Sequence, residues 1–245
     1  MCFPNKNNGL SAAGEPDPKE VNTADVMYNA YQQPEAFNRL SPFFTKSNIQ
    51  KGVDYMGNIP TEDFNTDYNV RGFFTPRGLN KYGKQSIEQN KQITGLNNIN
   101  DETIYLNRNK LFENSADATE SHERTHGFHY GLLYNADKKT QKGIDALKEK
   151  VSSYINPETP KNSYNDYLSS YTEVLARLNA LRADRYVKSK GQTNWWDNWD
   201  NLDNAKDSEA YKDLKAIMKE EDIIKALNEL ALNKQNNGNS IIKYS

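Results

Sequence analysis

The three histidines of the chain lie together in one eight-residue segment, His122-Glu123-Arg124-Thr125-His126-Gly127-Phe128-His129. Residues four apart on a helix share a face, with Cβ atoms about 5–6 Å apart, so His122 and His126 can bind one metal ion. Glu123 lies about 100° around the helix from His122, where it can reach a water beside that ion but cannot join the imidazoles as a ligand. A carboxylate in that place can take a proton from water whose pKa the metal has lowered toward about 7. The segment therefore predicts a metal centre with hydrolytic chemistry.

The His-Glu-x-x-His spacing of this segment resembles that of the zincin superfamily of zinc metallopeptidases. The resemblance covers residues 102–190 approximately and implies peptide-bond hydrolysis with bound Zn²⁺. It implies that His122 and His126 are zinc ligands and that Glu123 is the catalytic base. It also implies that the segment from Ile104 to Leu106 is similar to the strand against which zincins place an extended substrate.

A catalytic zinc site needs a third protein ligand, for which the sequence offers three candidates. His129 shares the face of the first two histidines but lies a turn beyond them, so it would reach the same ion only if the helix broke at Gly127. We favour Glu173, because gluzincins take a glutamate from a helix that follows the histidine helix in the chain. Arg177, one turn further on, is placed to orient that carboxylate. Asp184 is the third candidate.

Amide hydrolysis also needs a hydrogen-bond donor to the oxygen of the attacked carbonyl. In zincins this donor is often a tyrosine or histidine outside the metal motif. The candidates near the motif or near the favoured glutamate are His129, Tyr130, Tyr134 and Tyr171. The sequence does not choose among them.

Each of these residues also has an interpretation without catalysis. The histidines can be exposed or hydrogen-bonded side chains, and Glu123 can be a surface charge. A zinc ion held by the same residues can serve only to stabilise the fold. For Arg177 the alternative is an ordinary ion pair on its own helix.

Periodic patterns predict the elements that carry these residues. Alternation over 102–107 predicts a strand, and residues 116–134 predict the helix that carries the histidines. Two further helices are predicted, one around Ile144 to Ile155 and one from about Tyr164 or Thr172 to Lys190. After Ser208 two more are predicted, one with Tyr211 to Met218 and one with Ile223 to Leu230. The expected fold is α+β and predominantly helical, with a zincin-like core.

The first hundred residues hold much of the glycine and proline of the chain. Only one helical pattern begins there, at about Pro18, and it continues to about Tyr31. We therefore predict an extended irregular N-terminal arm over 1–100, with short helical pieces near 35–39 and 84–92. The zincin-like core follows over 101–190, and a tryptophan loop with a C-terminal helical hairpin over 191–245.

All three tryptophans of the chain lie close together, at Trp195, Trp196 and Trp199 in a polar segment. Tryptophan is favoured at the centres of protein interfaces. The alternative is a loop that folds its rings back onto the helices. We expect protein partners to bind through residues 1–100 and through these tryptophans.

The composition of the 245 residues excludes several classes of function. The net charge of -2 gives no general attraction to nucleic acid, so we expect no nucleic-acid partner. No run approaches the roughly 18 apolar residues of a membrane span, and the N-terminus lacks the apolar run of a secretory signal. A single cysteine, Cys2, excludes an internal disulfide and a thiolate metal site.

The abundant asparagine, the Met-Cys-Phe-Pro opening and the predicted arm look similar to features of bacteriophage virion proteins. We therefore expect a small metallopeptidase in a phage particle, with a peptide or protein substrate. The competing class is a non-enzymatic structural subunit of a virion or tail assembly, with a structural or vestigial zinc site. A peptidase should have a cleft beside Ile104 to Leu106 that leads to an open metal position, whereas in a structural subunit the arm or a neighbour fills that cleft. A third hypothesis is that the arm inhibits the enzyme.

Overall fold

The computed structural model describes residues 22–64, 95–98, 102–107, 116–134 and 136–230. These residues are mostly helical with one small sheet, so the predicted helix-rich α+β class is confirmed. The predicted helical piece near 84–92 and Cys2 lie outside the described residues. No helix in the described ranges is long and apolar enough to span a bilayer.

Three helices form near the N-terminus, where we predicted an arm: α1 (Thr23–Gln32), α2 (Pro34–Leu40) and α3 (Lys46–Asn58). The prediction of an extended irregular segment is therefore wrong for residues 23–58, although the described part of the first predicted helix and the piece near 35–39 are helical. The side chain of Thr45 caps α3 by accepting a hydrogen bond from the Asn48 amide. Ile49, Val53 and Met56 then fall on one face at helical spacing and are buried.

The described strands form a three-stranded sheet, with β1 (Thr61–Phe64), β2 (Gly95–Asn98) and β3 (Thr103–Asn107). The order is β1-β3-β2, with β1 parallel and β2 antiparallel to β3. β3 is the strand predicted over 102–107, and its Ile104 and Leu106 are buried against Ile59. Both edges of β3 are thus paired with segments from the first hundred residues.

Four helices follow the sheet: α4 (Ala116–Leu133), α5 (Lys138–Ser152), α6 (Ser163–Leu168) and α7 (Tyr171–Lys188). α4 is the predicted histidine helix, and it packs most extensively against α7 on one side and α3 on the other. Gly131 permits the approach of α3, since a Cβ there would lie 2.8 Å from Cβ of Tyr55 and 3.0 Å from Cα of Gly52. α4 is therefore held between two helices, and the later one is predicted to carry the third ligand.

A short 3₁₀ turn (Asp203–Ala205) leads to two C-terminal helices, α8 (Glu209–Ile217) and α9 (Glu220–Glu229). Ser208 caps α8, since its side chain accepts a hydrogen bond from the Tyr211 amide. Both helices agree with the predicted C-terminal pair.

The tryptophans are buried inside the chain, with 3%, 6% and 5% of Trp195, Trp196 and Trp199 exposed. The indole nitrogen of Trp196 donates to the Ala30 carbonyl at 2.8 Å, and the guanidinium carbon of Arg39 lies 4.1 Å from the ring centroid. The prediction that these tryptophans contact a partner is wrong, because the loop folds them back into the core. One hydrophobic core extends from α1 to α9 and takes residues from all three predicted segments. The boundaries of those segments stay a prediction.

Candidate metal centre

His122 and His126 lie on consecutive turns of α4, on the side that faces α7. Their Nε2 atoms are 3.1 Å apart, so the two rings converge on one point. α4 is continuous through Gly127 to Leu133, which keeps this pair one turn apart on one face. The two imidazoles therefore converge in the structure, as the sequence predicted.

Glu173 completes the group from the first turn of α7. Its Oε2 lies 3.4 Å from Nε2 of His122, and its Oε1 lies 3.3 Å from Nε2 of His126. The residue is 7% exposed. The sequence favours Glu173 as the third ligand, and the structure places it beside the two histidines. The three side chains form a partly buried group that can hold a metal ion.

The dimensions of the group can be compared with those of a tetrahedral zinc site. Ligand atoms at about 2.0–2.2 Å from a tetrahedral zinc ion are about 3.3–3.6 Å from one another. The two histidine Nε2 atoms are 3.1 Å apart, and each lies 3.3 or 3.4 Å from a different oxygen of Glu173. With one ligand atom taken from each residue, the three atoms lie within 4.8 Å of one another, so the group is close enough to hold one ion. Two imidazoles and one carboxylate are also a donor set that zinc accepts in catalytic sites.

The electrostatics of the group favour an ionised carboxylate between the rings. Burial alone would raise the pKa of Glu173, but the adjoining His122 and His126 rings hold it well below its ordinary value. Burial lowers the pKa of His126, yet Glu173, and to a smaller extent Glu123, raise it above the ordinary value. A cation at this place would therefore meet a carboxylate that is already charged.

Arg177 lies one turn after Glu173 and binds its carboxylate. Its Nη1 donates to Oε2 of Glu173 at 2.5 Å, and its Nε donates to Oδ2 of Asp213 on α8 at 2.8 Å. The predicted contact between Arg177 and Glu173 is therefore present. Asp213 was not identified from the sequence, because nothing local to α8 marks it.

Glu123 contacts the sheet and is 8% exposed. Its Oε2 accepts a hydrogen bond from the backbone amide of Asn97 in β2 at 2.8 Å, and its backbone carbonyl accepts one from the Asn97 side chain at 2.9 Å. Gly95 allows this contact, because a Cβ there would lie 2.6 Å from the Thr119 methyl and 3.1 Å from Cγ of Glu123. β2, an outer strand of the described sheet, therefore lies next to Glu123, the candidate base. β3 is the central strand and does not have a free edge that could bind a substrate.

His129 is not part of the metal-binding group. It is 5% exposed, and its ring centroid lies 5.8 Å from that of Phe128 and 5.5 Å from that of Tyr171. Burial, with a smaller effect of His126, lowers the pKa of His129 to about 3. Because α4 does not break at Gly127, the alternative with His129 as third ligand is wrong.

The other candidates make contacts of their own. Asp184 pairs with Lys188, its carboxylate 2.6 Å from the ammonium, and does not join the group. The ring of Tyr130 packs between those of Tyr55 and Tyr134, at 5.0 and 6.1 Å between centroids. Tyr171 lies beside His129, with the Lys148 ammonium 5.5 Å from its ring centroid.

Tyr167 is a tyrosine beside the group that the sequence did not single out. It is 49% exposed, and the guanidinium carbon of Arg177 lies 5.5 Å from its ring centroid. Burial and the neighbouring Glu173 carboxylate raise the pKa of Tyr167, so its hydroxyl keeps its proton. The one sequence signal was its position six residues before Glu173, in α6, the short helix that precedes α7.

Two polar networks fix the helices that carry the group. Arg124, 3% exposed, donates to the carbonyls of Met56 and Ile59 at 2.7 and 3.1 Å and ties α4 to the end of α3. Asn179 on α7 donates to the Thr125 hydroxyl of α4 at 2.9 Å. The Arg124 bonds therefore hold α4 against α3, and the Asn179 bond holds α4 against α7 next to the histidines.

Comparison with protein-family models, with curated proteins and with solved structures gave no match for this chain.

Proposed function

We propose that this protein is a zinc-dependent peptide hydrolase with a zincin-like core. The observation that carries the proposal is the convergence of His122, His126 and Glu173, whose ligand atoms are close enough to bind one metal ion. Glu123 lies on the adjoining face of the helix that carries both histidines. Two imidazoles and one carboxylate occur together in catalytic zinc sites and also in non-haem Fe(II) sites. We propose zinc because Glu123 beside the group suits the hydrolytic chemistry of a zinc-bound water.

Zinc bound there would act as a Lewis acid that polarises a water and the substrate carbonyl. Glu123 would take a proton from the attacking water and then give it to the leaving nitrogen, so its carboxylate is restored at the end of the reaction. Since the Asn97 amide binds Oε2, we assign the proton transfer to Oε1 of Glu123. Because the same bond fixes the carboxylate against β2, the base is oriented before substrate arrives.

The Tyr167 hydroxyl is a suitable donor to the oxygen of the attacked carbonyl. It lies beside Glu173, keeps its proton, and belongs to a half-exposed side chain that a substrate can reach. Hydrogen bonds that strengthen as charge develops on that oxygen lower the barrier. This assignment replaces the four donors that the sequence suggested.

The second candidate function is a non-enzymatic subunit in which the same residues hold a structural or vestigial zinc ion. It is favoured by the pairing of β3, since β1 and β2 from the first hundred residues cover both of its edges. The association with a phage particle is also a proposal. It is supported by the asparagine-rich composition. It is weakened by the helices over 23–58, because an extended arm was part of the similarity to virion proteins.

The two functions are separated by measuring metal content and peptide cleavage on the same preparations. We expect Glu123→Gln to keep zinc and lose cleavage of a mixed peptide library, and His122→Ala to lose both. Glu149→Gln, at an exposed position of α5, is the matched control and should leave both unchanged. If the wild-type protein holds zinc and cleaves no peptide in the library, or cleaves as fast as Glu123→Gln, the hydrolase proposal is contradicted and the structural subunit is supported.

A further inference from the structure

The carboxylate of Glu173 does not face the candidate metal position alone, because its Oε2 also binds Arg177 at 2.5 Å. Arg177 is 6% exposed, so its charge is poorly screened by water. A full positive charge at that distance cancels much of the field that Glu173 exerts on a cation. By itself, therefore, Arg177 would oppose metal binding while holding the ligand in place.

Asp213 offsets the positive charge of Arg177 by binding the other side of its guanidinium. Its Oδ2 accepts from Nε of Arg177 at 2.8 Å, and its Oδ1 accepts from the Tyr164 hydroxyl at 2.8 Å. Both oxygens are thus engaged, which fixes the carboxylate in one orientation. Glu173, Arg177 and Asp213 together carry one negative charge, whereas Glu173 and Arg177 without Asp213 would be neutral.

We propose that Asp213 is a positioning residue of the metal centre, which acts through Arg177 to orient Glu173 and to preserve the negative charge that attracts a divalent cation. The inference rests on the proposed metal site but not on its being catalytic. It assigns α8 a role in metal affinity, because this helix supplies the carboxylate at the end of the chain of contacts.

The proposal makes a prediction for metal affinity that a simple role in helix packing does not. Outer partners of metal ligands typically contribute about 10- to 100-fold to metal affinity. Removal of a packing contact lowers the stability of the metal-free protein but leaves the affinity of its folded form for zinc unchanged.

The test is the Zn²⁺ dissociation constant of the full chain, measured by competition with a chromophoric chelator at fixed pH, together with thermal unfolding of the metal-free protein. Asp213→Asn should weaken zinc binding by about 10- to 100-fold. The matched control is Glu209→Gln, which removes one charge from an exposed side chain on the same helix and should leave affinity unchanged. An equal affinity of Asp213→Asn and wild type would overturn the inference and leave the metal site itself standing.

Arg177→Lys is the second variant, and it serves if Asp213→Asn does not fold. Lysine keeps the charge but cannot hold two carboxylates in the fixed geometry of a guanidinium, so zinc should again bind about tenfold or more weakly. In an Arg177→Met background, Asp213→Asn should change affinity by less than about threefold, since the link between the two carboxylates is gone. If wild type binds no zinc at all, the proposed function fails rather than this inference alone.

Discussion

Replacing Glu173 by glutamine is the substitution that separates a metal ligand from a structural ion pair. The change keeps the shape of the side chain and removes one charge from a group that is 7% exposed. In the structure this charge binds Arg177 at 2.5 Å and lies 3.3 and 3.4 Å from the two histidine nitrogens. Both stability and metal affinity should therefore respond.

The cost to stability follows from the contacts that remain. Arg177 keeps its bond to Asp213, so Glu173→Gln weakens a charge-assisted hydrogen bond without leaving the guanidinium unpaired. We expect a loss of about 1.5–3 kcal/mol in the free energy of unfolding of the metal-free protein. For a chain of this size that is a decrease of roughly 4–10 °C in the unfolding temperature.

The effect on zinc should be larger. An amide oxygen is a poor zinc ligand compared with a carboxylate, so affinity should fall by more than the roughly 100-fold that loss of an outer partner can cause. Chelator competition measures the affinity, and denaturant unfolding with and without zinc measures the stability. A variant that unfolds earlier but binds zinc as tightly as wild type would refute the assignment of Glu173 as a ligand and leave only its ion pair with Arg177.

Three further predictions concern other parts of the site. Tyr167→Phe should keep zinc but lower kcat by about 100-fold or more, and an unchanged kcat in steady-state peptide cleavage would exclude Tyr167 as the carbonyl donor. Arg124→Met should lower the free energy of unfolding by about 2–6 kcal/mol, because the buried carbonyls of Met56 and Ile59 lose their donor at a cost of about 1–3 kcal/mol each. A change below about 1 kcal/mol in denaturant titration would contradict this. Zinc affinity should fall as the pH falls, since the pKa of His126 is raised above its ordinary value of 6.5 and its protonated ring cannot bind metal. The loss from this ring should therefore begin above pH 6.5 and reach about tenfold per pH unit. Equilibrium titrations at several pH values that give one constant affinity would show that His126 does not bind the ion.

The sequence predicted those residues of the metal-binding group that lie at regular spacings on single helices. The spacing of His122 and His126 determines their convergence on any helix, and α4 is straight enough to keep it. Glu173 was chosen from the resemblance to gluzincins, in which a later helix supplies a glutamate, and the helix predicted there is present as α7 with this residue in its first turn. Arg177 follows from the same helix, one turn further on.

The errors arose where pairing and packing over long distances decide the structure. α3 has a capping Thr45 and a helical stripe, but glycines and polar residues within it obscured the pattern. β1 and β2 are too short to be recognised alone, and their pairing with β3 could not be read from any one of them. Asp213 and Tyr167 reach the group only through the packing of α6, α7 and α8, so no motif marks them.

The most direct test of the account is an anomalous difference map measured at the zinc absorption edge on crystals of the native protein. We predict one strong peak at about 2.0–2.2 Å from Nε2 of His122, Nε2 of His126 and a carboxylate oxygen of Glu173. A map without a peak there, from protein supplied with zinc, or a peak bound by other side chains, would contradict the metal centre and the proposed function with it.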